Sequence, residues 1–76
     1  MTPAPDDGPS GVHCCLDELL AEREMTLTEL SRLVGVSIVN LSILKNDHAR
    51  AIRYSTLSAI CRALDCEIGE LLVRTD

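Results

Sequence analysis

The sequence predicts an all-α fold, a compact five-helix bundle, and three observations lead there. Apolar residues make up 46% of the 76 residues, yet there is no Phe or Trp and only one Tyr. The core must therefore be built from Leu, Ile, Val and Ala, which suits short helices packed closely. Those residues recur at helical spacing in five separate segments. Serine, threonine and glycine stand where helix ends would be needed between the segments.

The first segment is Leu16, Leu19 and Leu20, with Asp17, Glu18 and Glu22 on the opposite side, which predicts a helix over about residues 15–24. Val12 to Cys15 just before it would also suit a short strand. Thr26-Leu27-Thr28-Glu29 is a capping box: the threonine hydroxyl accepts from the amide three residues on, and the glutamate reaches back. A second helix follows to about Val34, burying Leu27, Leu30 and Val34. Gly35 can take the left-handed conformation that ends a helix tightly. Ser37 can then cap a third helix over about residues 38–45, with Leu41 and Leu44 inward and Asn40 and Ser42 nearer solvent. Two short helices joined by a three-residue turn that opens with glycine form a helix-turn-helix. Beyond a basic loop, Ser55 is placed to cap a fourth helix whose Leu57, Ile60, Cys61 and Leu64 make one stripe. Ile68, Leu71 and Leu72 fit a short fifth.

The domain expected from this is one, over residues 12–76. Residues 1–11 hold all three prolines, two of the four glycines and an Asp pair, which predicts a disordered tail. The segment MTPAPDDGPSG lacks the basic start and apolar stretch of a signal peptide. No run approaches the ~20 apolar residues that span a bilayer. The expected setting is the cytoplasm, where Cys14, Cys15, Cys61 and Cys66 would be reduced.

A net charge of −5 argues on its face against nucleic acid, but its distribution does not. Residues 1–30 hold seven acids (Asp6, Asp7, Asp17, Glu18, Glu22, Glu24 and Glu29) and one base, Arg23. Residues 37–62 hold Lys45, Arg50, Arg53 and Arg62 against Asp47 alone, with His48 beside it. Because screening confines a charge to roughly 8 Å at physiological salt, the local balance is what a partner meets.

The run M-T-L-T-E-L-S-R-L-V-G-V-S followed by x-x-N-L-S-x-L-K-N resembles the Cro/C1-type (XRE-like) helix-turn-helix transcriptional regulators. The continuation A-R-A-I-R-Y-S-T-L-x-A-I-C-x-A-L-D-C-x-x-G-E-L-L is similar to a short, single-domain bacterial branch, so the likeness covers about residues 14–73. It implies a lambda-repressor-like five-helix domain whose third helix enters the major groove of double-stranded DNA, acting as a homodimer. By position it implies that Ser37, Asn40, Ser42 and Lys45 face DNA, with Thr28 near a phosphate. Leu27 stands where many relatives have a DNA-contacting glutamine. Ile38 and Val39 occupy helix positions that are commonly polar or basic.

The chemistry of these side chains agrees with the roles. The Asn40 amide can bond bidentately to adenine N6 and N7, and Ile38 or Val39 can meet a thymine methyl. Lys45, Arg50 and Arg53 suit phosphate contacts, which fix position without reading sequence. Arg62, on the fourth helix, could pair with a local carboxylate and is left out of the site. The dimer surface is expected in the final helix with the last residues, or in a strand near Val12 to Cys15.

Two further readings compete. Ile38, Val39 and Ile43 could form a protein-binding face on the same helix. The cysteines with His13 could serve a thiol or metal sensor, but no C-x-x-C or H-x3-H spacing is present and the signal is weak. Cys61 and Cys66 read as packing residues, and Cys14 and Cys15 as the more reactive pair. No enzyme inventory is legible: there is no glycine-rich phosphate loop, nucleophile-base pair or paired carboxylates in a cleft. No cofactor, metal, membrane or small-molecule ligand is expected.

Overall fold

Leucines at helical spacing fill the centre of the protein. In the computed structural model, which describes residues 11–75, the order is β1 (Val12–Cys14), α1 (Leu16–Glu22), α2 (Leu27–Val34), α3 (Ile38–Lys45), α4 (Tyr54–Leu64), α5 (Ile68–Leu71) and β2 (Leu72–Arg74). The expected tail over residues 1–11 lies outside the described residues apart from Gly11. Leu16, Leu30, Leu41, Ile60, Leu64 and Leu71 are fully enclosed, and no polar or charged residue is buried among the described residues. Burying one such side chain is worth about 1.5–3 kcal/mol, and these six tie all five helices to one core.

The fold is not all-α. β1 and β2 pair antiparallel, with Val12 opposite Arg74, His13 opposite Val73 and Cys14 opposite Leu72. The pairing satisfies backbone groups at both ends of the domain and buries Cys14 against the core. Its effect on α5 corrects the expectation for that helix: Leu72 leaves it to become a strand residue, and Ile68 is 53% exposed. The short strand considered for Val12 to Cys15 is present, whereas its partner lies some sixty positions away in sequence, beyond the reach of any local pattern.

The helix ends follow local chemistry in most places. Thr26 Oγ1 accepts from the Glu29 amide at 3.1 Å and Glu29 Oε1 accepts from the Thr26 amide at 2.9 Å, completing the capping box. Gly35 ends α2 at φ 72°, and Ser37 Oγ caps α3 by accepting from the Asn40 amide at 3.1 Å. The fourth helix departs from expectation: it starts at Tyr54, one residue before Ser55, and extended Arg53 occupies the cap position without a side-chain hydrogen bond. Arg23 joins the end of α1 to the end of α4, donating from Nε to the Leu64 carbonyl at 2.7 Å. No single helix among the described residues is long and apolar enough to cross a membrane.

Candidate nucleic-acid interface

The chain turns by 116° between α2 and α3, within the range of a helix-turn-helix. Gly35 makes the turn possible. Ser31 locks it by donating from Oγ to the Val36 carbonyl at 2.6 Å. Leu41 and Leu44 anchor the inner side of α3 in the core. At 100° per residue, the side opposite them carries Val39, Ser42, Ile43 and Asn46. Val39 is 68% exposed and Ser42 half-buried, while Ile38, Asn40, Ile43 and Asn46 are exposed.

The predicted residues divide into three groups. Val39 and Ser42 lie on that outer side, Ile38 and Asn40 on its two flanks, and the Asn40 side-chain amide makes no hydrogen bond among the described residues. Ser37 is exposed at the start of α3, but its oxygen already accepts the capping bond, so its hydroxyl has a proton left to donate. Thr28 is exposed on the first turn of α2.

The basic residues differ from one another. A shallow groove between α3 and the following loop has Asn40, Ile43, His48, Arg50, Arg53 and Thr56 on its walls, so it brings the two arginines to the same rim as the amide. Lys45 does not join them. It is half-buried on the side of α3 that faces α1, with Nζ 3.8 Å from Asp17 Oδ2. The packing of α1 against that side of α3 sets the direction. Arg62 meets Ser58 Oγ at 3.3 Å on its own helix, in place of a carboxylate.

Asp47, the one acid in the basic segment, is turned away from α3. Its residue adopts φ 62°. Its carboxylate accepts from the Cys14 amide at 2.8 Å and from His13 Nδ1 at 2.7 Å. Those two bonds, the Cys14 amide first, hold its pKa below the ordinary range. The acid that would weaken an anion-binding surface is thereby committed to β1.

Two exposed residues beside α3 escaped the sequence reading. Asn46 follows Ser42 by four positions and Val39 by seven, and that spacing alone places it on the outer side. Tyr54, 88% exposed, stands next to Arg53 at the start of α4. Its being the lone aromatic residue was the available signal.

Comparison with known proteins places this geometry. A family profile for the Cro/C1-type HTH DNA-binding domain matches residues 15–76. The chain is 58% identical over 57 residues to the uncharacterized HTH-type transcriptional regulator YozG of Bacillus subtilis (strain 168), covering 75% of this chain and 68% of that protein. The crystal structure of the transcriptional regulator VanUg superposes with a TM-score of 0.71 at 27% identity, covering 97% of each chain.

Proposed function

The chain belongs to the family of Cro/C1-type helix-turn-helix DNA-binding domains, and from that premise we propose that it regulates transcription by laying α3 in the major groove of double-stranded DNA. The observation that carries this reading is the outer side of α3: a short helix fixed at 116° to α2, exposed where a groove would meet it, with an unengaged amide at Asn40 beside two arginines. Asn40 reads an adenine edge, Val39 and Ile38 meet thymine methyls, and Ser42 bonds a base or phosphate. Arg50 and Arg53 hold the flanking phosphates, and Thr28 and Ser37 donate to the backbone on the α2 side. Lys45 contributes charge from the edge.

Eight residues of recognition helix contact few bases, so two copies acting on a pseudo-palindrome, with half-sites about 34 Å apart, supply the missing specificity. The exposed Val12 and Ile68, near the two-stranded sheet, support that region as the dimer surface. The family is one of regulators acting on DNA, which fits a cytoplasmic protein without a catalytic step.

A second reading rests on the exposure of Leu33, Ile38, Val39 and Ile43, an apolar set that suits a partner protein. One experiment separates the two. The reduced protein is incubated with a random duplex pool at about 0.1 M salt, where electrostatic retention is still selective, and the retained DNA is sequenced. Enrichment of a two-fold symmetric motif is expected. No enrichment, from protein that is folded, would transfer the α3 surface to the protein-binding reading.

A further inference from the structure

On the side of α3 where Lys45 lies, three different donor side chains converge where β1 runs into α1. His13 is on β1, Cys15 precedes the first residue of α1, and Glu18 lies in its first turn. One donor atom from each lies within 4.8 Å of the other two. His13 Nε2 is 3.0 Å from Glu18 Oε2. Its other ring nitrogen, Nδ1, is 2.7 Å from Asp47 Oδ2, and the Asp47 carboxylate is itself held by the Cys14 amide at 2.8 Å. The ring is thus fixed from behind by a carboxylate, with Nε2 aimed at Glu18. Metal-binding histidines are oriented in this way, with the far nitrogen donating to a carboxylate or carbonyl.

We propose that His13 Nε2, Cys15 Sγ and the Glu18 carboxylate form a three-ligand site for a divalent cation of borderline softness, for which zinc is the best fit, with a fourth position open. The donor set decides the class of ion. A thiolate with an imidazole disfavours magnesium and calcium, whereas nitrogen, sulfur and carboxylate oxygen are the ligands zinc takes. Tetrahedral ligands about 2.0–2.3 Å from zinc lie roughly 3–4 Å from one another, so small side-chain rotations close the present arrangement. On binding, the ion displaces the proton on His13 Nε2 and the proton on the Cys15 thiol, and both go to solvent.

The position gives the site a consequence. Asp47 lies just past the end of α3, so the residue that orients His13 also begins the loop carrying Arg50 and Arg53. An ion held by His13, Cys15 and Glu18 fixes the imidazole that bonds Asp47 at the start of that loop. In this respect the inference rests on the DNA-binding reading, although the site itself does not.

The test reads metal binding without DNA, so its outcome is independent of that reading. The full, reduced chain is titrated with Co²⁺, then with Zn²⁺. Expected are one equivalent bound, a thiolate-to-cobalt charge-transfer band and displacement of Co²⁺ by Zn²⁺. Cys15→Ser should abolish the band, and Cys61→Ser with Cys66→Ser should leave it. Glu18→Gln, an exposed change that the fold tolerates, should weaken binding, and Asp47→Asn should weaken it about tenfold through the loss of ring support. Circular dichroism of each variant separates lost binding from lost structure. No band at stoichiometric Co²⁺, or a band that survives Cys15→Ser, overturns the proposal.

Discussion

At the scale of single residues, three side chains that look alike in sequence separate by direction. Lys45, Arg50 and Arg53 all read as phosphate contacts, yet Lys45 is turned toward Asp17 and half-buried. Arg53→Ala is therefore expected to weaken binding on every duplex and lower the slope of log K against log salt by about 0.9. Lys45→Ala should change the slope by less, and equal changes would mean that Lys45 swings out to the phosphates. Asn40→Ala should cost about 1–3 kcal/mol on the preferred duplex and little on random DNA; parallel losses on both would make Asn40 a backbone contact. The thiols separate as well. Burial pushes Cys14 up to about 11, and desolvation with the neighbouring Cys61 pushes Cys66 up to about 11. Since a raised pKa means less thiolate, alkylation of both at pH 8 should be slow in the folded protein. It should accelerate as pH rises toward 11 or when urea is added. Labelling of Cys66 as fast in the folded as in the unfolded chain would contradict its placement.

At the scale of elements, the turn between α2 and α3 controls whether the exposed side of α3 can meet a groove. Its geometry depends on Gly35, at φ 72°. A Cβ there would meet nothing within 4 Å, so Gly35→Ala should cost only the left-handed strain, about 1–2 kcal/mol. Thr26→Ala removes one half of the capping box and should cost about 1 kcal/mol. Urea unfolding measures both, and a Gly35→Ala loss several times larger would point to a repacked turn. The third helix was legible to its boundaries because serine, leucine spacing and glycine all act locally there. The start of α4 was not: Arg53 holds the cap by backbone conformation alone, and nothing in the serine-cap rule reports that. Among candidate site residues, the period of the helix placed Asn40 and Ser42 toward solvent; Asn40 is exposed there and Ser42 half-buried. The turning of Lys45 toward α1 did not follow from that period, since it depends on where a separate helix packs.

At the scale of the whole molecule, stability rests on a core of aliphatic side chains in a chain of only 76 residues, a size that leaves little surplus. Ile60 is 0% exposed. Ile60→Val should cost about 0.5–1.5 kcal/mol and Ile60→Ala about 2–5 kcal/mol, the latter a large share of the total. A urea midpoint unchanged by Ile60→Ala would contradict the central position given to it. The charge also resolves at this scale. The acids of α1 and the exposed arginines past α3 belong to different parts of one surface, and the Asp47 carboxylate is taken up by the Cys14 amide and His13. A net negative protein can in this way present a locally basic edge.

The sequence by itself determined the five helices, the helix-turn-helix and most of the leucine core, because periodicity, caps and a left-handed glycine act over a few residues; it did not place Cys14, expected as a reactive thiol, in that core. It also determined the family likeness, which depends on those same residues. Only the tertiary structure decided that the two ends of the domain pair as strands, that Lys45 and Asp47 face away from the exposed side of α3, and that His13, Cys15 and Glu18 meet beside Asp47. Each of these joins residues brought together by packing. Side-chain direction there is fixed by partners distant in sequence, which no local pattern encodes.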